Sequence, residues 1–179
     1  MITNNFKKLL FGVLFNIDDT ASDYLGPKST ITFTNISNTQ INWVYSSITN
    51  NESAVRETLK KLNRPVTNTS SYGVNIKVGT GNTEATEDDY DLDNVNSDII
   101  CDSIVSGLTS NNTKTYTATF SNPTANDIQV KEMGLYAGLS IYNGSSTSNN
   151  YVLLDRTVLS TPITIPAGES KSITYEIAF

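Results

Sequence analysis

Apolar and polar residues alternate with a period of two along much of this chain. Ile31 and Phe33 fall on one phase, with Thr30, Thr32 and Thr34 on the other. A half-buried strand gives this pattern, because successive side chains point to opposite faces of the pleat. Ile41 to Tyr45, which contains the single tryptophan, Trp43, reads as a second strand. Val74, Ile76 and Val78 form one face of a third. Tyr116, Ala118 and Phe120 oppose Thr115, Thr117 and Thr119, and Ile128 and Val130 continue the alternation. Near the end, Ile163 and Ile165 lead through Pro166-Ala167-Gly168-Glu169 into Ile173, Tyr175, Ile177 and Phe179. Pro followed two residues later by Gly predicts a tight type I turn. Asn143-Gly144 predicts another turn, and the polar run to Asn150 a longer hairpin loop. About eight to ten strands at this spacing indicate a mainly β protein, an antiparallel β-sandwich of jelly-roll-like kind.

Two segments break the alternation. Phe6, Leu9, Leu10, Val13 and Leu14 are spaced i, i+3, i+4, i+7 and i+8, which predicts a short amphipathic helix. Residues 1–17 are therefore expected to be an N-terminal docking helix, and residues 18–179 a single β-sandwich domain. A further helix is expected near 50–63. Thr49 and Glu52 have capping-box spacing, Val55, Leu59 and Leu62 share a face, Lys60 and Lys61 suit the C-terminal end, and Pro65 stops it. Phe179 falls on the inward phase of the last strand, so little tail is expected beyond it.

Composition narrows the chemistry. The chain has 179 residues, 12 Lys+Arg against 18 Asp+Glu and a formal charge of -6. An acidic balance argues against nucleic acid as a partner, since phosphate binding needs a basic face. There is no histidine, which removes imidazole catalysis and a histidine pH switch. The lone cysteine, Cys101, forms no internal disulfide or thiolate cage. It reads as a small core residue rather than a nucleophile. Asn, Thr and Ser make up about a third of the chain, which suits turns and hydroxyl-bearing strand faces. No apolar run approaches the roughly 20 residues of a membrane-spanning helix. Lys7-Lys8 before Leu9 imitates a secretion signal, but no small-x-small cleavage site follows.

The sharpest local feature is the stretch from Glu84 to Asp93, with six carboxylates in ten residues. Asp89-x-Asp91-x-Asp93 matches the start of a calcium loop, but Asn94 replaces the glycine of the sharp turn and Ile100 the closing glutamate. A solvated acidic loop is the expectation. A glycosidase pair would need two carboxylates facing each other across a sugar cleft, and local acidic density does not provide one. Gly79-Thr80-Gly81 lacks the further residues of a phosphate loop and reads as a bend leaving the strand. No catalytic, cofactor-binding or metal-binding residue is assigned, and no enzymatic activity is expected.

Three stretches carry a resemblance. Val78-Gly79-Thr80-Gly81-Asn82-Thr83 followed by Asp88-Asp89-Tyr90-Asp91-Leu92 resembles a segment of bacteriophage structural proteins. Glu132-Met133-Gly134-Leu135-Tyr136 resembles the strand that follows it there. Leu153-Leu154-Asp155-Arg156, then Pro162 to Ser170 and the strand to Phe179, resemble their C-terminal hairpin. The order of the three across residues 72–179 is the specific part. The opening Asn4 to Leu10 is similar to the start of such proteins. The resemblance implies a non-enzymatic virion component of a tailed phage, assembled in the bacterial host cytoplasm. Its partners would be copies of itself and other virion proteins, in the tail, neck or fibre-attachment region. A capsid decoration or head-fibre protein, or a carbohydrate-binding module at a fibre tip, are the alternatives.

Overall fold

The computed structural model describes residues 1–7, 30–44, 64–67, 73–110, 113–142 and 147–178. Among them are eight strands: β1 (Thr30–Thr34), β2 (Gln40–Val44), β3 (Gly73–Gly79), β4 (Ile100–Ser110), β5 (Thr113–Ser121), β6 (Ile128–Tyr142), β7 (Thr147–Ile165) and β8 (Ser170–Ala178). They form three antiparallel sheets, ordered β1-β2, β3-β6-β7 and β4-β5-β8. The mainly β expectation is met. The helix expected near 50–63 lies outside the described residues, as do residues 8–17 of the N-terminal segment and Phe179.

One hydrophobic cluster draws on both three-stranded sheets. Val74, Ile76, Val78, Met133, Leu135 and Val152 come from one, and Ile104, Tyr116, Ala118, Phe120, Ile173 and Tyr175 from the other. Each large side chain buried there contributes about 1.5–3 kcal/mol. The alternating faces read from sequence in β3, β5 and β8 are the faces that enter this core. On the outer face of β5 and β8, Thr117 pairs with Thr174 at 3.0 Å and Thr119 with Ser172 at 2.9 Å.

The β3-β6-β7 sheet is different, because it is covered on both faces. Residues 132–138 of β6 and 152–156 of β7 are continuously buried. Leu92, Tyr136 and Leu153 form a second cluster on the outer side, with Ile36 packed against it. The edges of this sheet are covered too. Arg64 and Val66 bond to Val74 along β3, and Asn96 N–H reaches the Val78 carbonyl at 3.0 Å. Along β7, Thr3 N–H donates to the Leu154 carbonyl at 3.0 Å.

Two local expectations change. In the turn at 166–169, Glu169 N–H donates to the Pro166 carbonyl at 3.1 Å while Gly168 has φ +71°. Positive φ at the third residue makes this a type II turn, not type I. The polar run before Asn150 is also not all loop. Thr147 to Asn150 already belong to β7 and pair with residues 139–142 of β6. Backbone pairing carries that stretch, so no apolar alternation marks it.

Candidate functional site

The site is a buried polar clamp on the outer face of the β3-β6-β7 sheet. A bulge creates it. Along β6 and β7, Tyr136 faces Leu153 but Leu135 faces Asp155, leaving Leu154 as an extra residue. A bulge re-aims the side chains beyond it, because strand sidedness has a period of two. Leu154 and Asp155 thus share the inner side, and Arg156 turns outward opposite Gly134. Without the extra residue Arg156 would enter the apolar core.

Arg156 is 1% exposed and Glu132 0%. Arg156 Nε and Nη2 each lie 2.9 Å from Glu132 Oε2. Nη1 donates to Asp89 Oδ2 at 2.8 Å, and Nη2 to the Thr83 carbonyl at 3.2 Å, with Asp93 Oδ2 at 3.3 Å. All three guanidinium nitrogens are therefore bonded. Glu132 also takes backbone N–H bonds from the loop: Gly81 at 3.0 Å and Asn94 at 2.8 Å to Oε1, and Asp93 at 3.0 Å to Oε2. A planar guanidinium suits such multidentate binding, and buried charges persist only when paired and bonded in this way.

The glycines permit the approach. A Cβ on Gly79 or Gly81 would sit 2.5 or 2.4 Å from Glu132 Oε1. They serve close packing of a carboxylate against the backbone, which corrects the reading of Gly79-Thr80-Gly81 as a simple bend. Beside the clamp, the Tyr136 hydroxyl donates to Asp91 Oδ1 at 2.5 Å and accepts from Leu92 N–H at 3.2 Å. Lys77 Nζ stands 4.7 Å from the Tyr136 ring centre.

The acidic segment therefore divides. Asp89 and Asp91 are partly buried and bond inward, Asp93 reaches Arg156 and Thr83 while staying exposed, and Glu84, Glu87 and Asp88 are exposed. Glu87 pairs with Lys7 at 2.5 Å, and Asp88 accepts from Asn4 Nδ2 at 2.9 Å. A wholly solvated loop is thus corrected, because a buried cation lies beneath it. The carboxylates in calcium-loop spacing are bonded to different protein donors. Among the described residues, no group of three or more His, Cys, Asp or Glu is arranged to hold a metal ion.

Burial acts to raise the Asp89 pKa, but bonds from Arg156 and Thr86 outweigh it and hold Asp89 below the usual carboxylate value. Asp93 is lowered chiefly by the Thr83 hydroxyl, against some desolvation. Burial acts to lower the Arg156 pKa, yet Asp89 and Glu132 raise it overall. Burial and the neighbouring Asp91 push the Tyr136 hydroxyl upward. None of these four groups exchanges a proton readily near neutral pH. The arrangement holds a loop in place.

A second polar junction lies on the inner side of the bulge. Asp155 accepts from the Tyr175 hydroxyl, and Tyr175 also meets Thr157 at 3.2 Å. Residues 1–7 close over it. Thr3 Oγ1 donates to the Leu153 carbonyl at 2.7 Å, and Asn5 brackets the Thr34 backbone, donating to its carbonyl at 2.6 Å and accepting its N–H at 2.9 Å. Phe6, the first apolar position of the expected helix, belongs to the core, within a single turn spanning residues 4–7.

Residue-level reading of the sequence picked out Asp89, Asp91 and Asp93 but assigned no role to Arg156 or Glu132. Each belongs to a pair of adjacent charges flanked by apolar residues, Asp155-Arg156 after Leu153-Leu154 and Lys131-Glu132 between Val130 and Met133, a pattern that surface charges also give. Comparison of the chain with known protein families, curated proteins and solved structures finds no match.

Proposed function

We propose that this chain is a non-enzymatic structural component of a bacteriophage particle, a β-sandwich that assembles through symmetric contacts in the tail, neck or fibre-attachment region. The reading of a sandwich rests on the two three-stranded sheets contributing to one core. One observation supports the functional reading most. The three stretches that carry the resemblance, far apart in sequence, supply Thr83 and Asp89, Glu132, and Arg156 to the same clamp. An assembly protein needs surface loops of fixed shape, and these side chains fix one. Hydroxyl-lined strand faces with few charges keep the desolvation cost of subunit contacts low, and symmetric copies multiply weak contacts.

Phe6 is committed to the chain's own core, so docking by the N-terminal segment rests on Leu9, Leu10, Val13 and Leu14. The test is proteomic and structural. Purified particles from cells expressing the chain with its phage should contain it at a fixed stoichiometry, and a particle map should place it on a symmetry axis or ring. Its absence from purified particles would remove the proposal.

A further inference from the structure

The two three-stranded sheets differ at their edges. Around β3-β6-β7, Arg64, Val66, Asn96 and Thr3 bond to the outer strands. Among the described residues, neither β4 nor β8 has a backbone hydrogen bond on the side away from β5. An open edge is a template for another strand, and proteins protect such edges with charge. β8 is protected in that way, by exposed Lys171 and Glu176. β4 is not. Its one charged residue is Asp102, while Ile100 is 51% exposed and Val105 62%, the most of any large hydrophobic residue among those described. Pairing with β5 is irregular at Asp102 and again between Leu108 and Ser110, and regular from Ser103 to Leu108. Val105 faces Thr117 on the hydroxyl-bearing outer face, at the midpoint of the strand.

We propose that β4 pairs antiparallel with β4 of a second copy of this chain, about a two-fold axis through Val105, to give one six-stranded sheet. The contact deepens the proposed assembly through symmetric contacts and rests on that reading for its two-fold symmetry. A two-fold normal to the sheet keeps like faces together, so paired residue numbers sum to an even value and one residue meets itself. With Val105 on the axis, the whole of Ile100–Ser110 overlaps its copy, and Ser103 lies opposite Gly107. Asp102 then lies opposite Leu108, so the single acid of each strand does not meet its like. Val105, the most exposed apolar side chain, is covered by its own counterpart. The irregularities near the strand ends confine regular pairing to the centre and so fix this register. One strand edge is smaller than the interface of a permanent dimer, so free chains are expected to exchange between monomer and dimer.

Cysteine cross-linking tests the contact in the purified full chain, with Cys101→Ser removing the one native thiol. Residues directly opposed in an antiparallel pair have Cα atoms about 4.5–5.5 Å apart, within reach of a disulfide. Val105→Cys is therefore expected to give a disulfide-linked dimer on mild oxidation. Thr174→Cys, exposed at the middle of β8, should stay monomeric, because five strand spacings of about 4.8 Å separate it from its copy. Val105→Lys sets two ammonium groups side by side at an exposed position. It should weaken self-association, followed by sedimentation velocity, about tenfold or more. A Thr174→Cys dimer of equal yield, or a mixed disulfide between the two variants, would move the contact to β8 and overturn the proposal. Absence of the Val105→Cys dimer, or self-association untouched by Val105→Lys, overturns it as well. Such a failure in a chain that still enters particles would leave the virion reading standing. A Val105→Cys dimer from a chain absent from particles would remove that reading and keep this contact.

Discussion

Replacing Arg156 by Leu leaves Glu132, a carboxylate with no exposure to water, without its cation. Breaking a buried ion pair from one side costs about 3–5 kcal/mol, so R156L should lower the guanidinium unfolding midpoint sharply. Arg156→Lys keeps the charge but loses the fork that reaches Glu132 and Asp89 together, and should fall between the two. Glycines separate in the same way according to what surrounds them. A Cβ on Gly81 would meet Asp93 Cβ at 2.3 Å and Glu132 Oε1 at 2.4 Å, so Gly81→Ala is expected to cost about 1–3 kcal/mol through forced displacement. Gly168 has φ +71° and open space around it, so Gly168→Ala should cost about 1 kcal/mol from backbone strain alone. Chemical denaturation of the two variants would show the difference. Equal losses would mean that packing around Glu132 is looser than the distances imply.

At the scale of elements, the segment from Thr80 to Asn96 is a loop whose order comes from ions and hydrogen bonds more than from apolar burial. Leu92 is its one buried large hydrophobe. Asp89 and Asp93 both have lowered pKa values, so the ionised form is favoured in the folded state. Their contribution is complete above the ordinary value of 3.8 and is lost as pH falls through the lower folded values. Hydrogen exchange of the Gly81, Asp93 and Asn94 amides should therefore accelerate below about pH 4 ahead of amides in β5. Loss of protection in β5 at the same pH would show that the loop has no separate stability. The β6–β7 hairpin illustrates a second element-scale rule. Its one-residue bulge at Leu154 decides which side chain enters the core, sending Asp155 inward to Tyr175 and Arg156 outward to Glu132. No local propensity marks a bulge of this kind; its energy lies in contacts with β8, β6 and the loop.

For the whole molecule, residues 1–7 bind together parts far apart in sequence: Thr34 in β1, Leu153 and Leu154 in β7, and Glu87 and Asp88 in the acidic loop. Deleting residues 1–7 should lower the stability of the entire fold by about 3–5 kcal/mol, from the burial of Phe6 and the bonds of Thr3 and Asn5. Calorimetry should show one transition at lower temperature; a deletion as stable as the full chain would make the segment a mere appendage. The period of two was enough to define the class of the fold and the inward faces of β5 and β8, since those strands have one wet side and alternation survives there; in β3 it survives because polar Asn75 and Lys77 fill the covered outer face. In β6 and β7 it was not enough. Both faces are covered, so Lys131-Glu132-Met133-Gly134-Leu135-Tyr136 shows no clean alternation, and a buried Glu and Arg look like any surface charges. The acidic segment was visible as composition, but its division into inward and outward carboxylates was not. That division depends on a cation delivered from 63 residues further along the chain than Asp93, by a bulge whose only signature is the pairing of two strands. Sequence alone determined which residues alternate. Tertiary structure decided which charges would be taken out of water, because only the assembled sheet and loop bring enough partners together to hold them there.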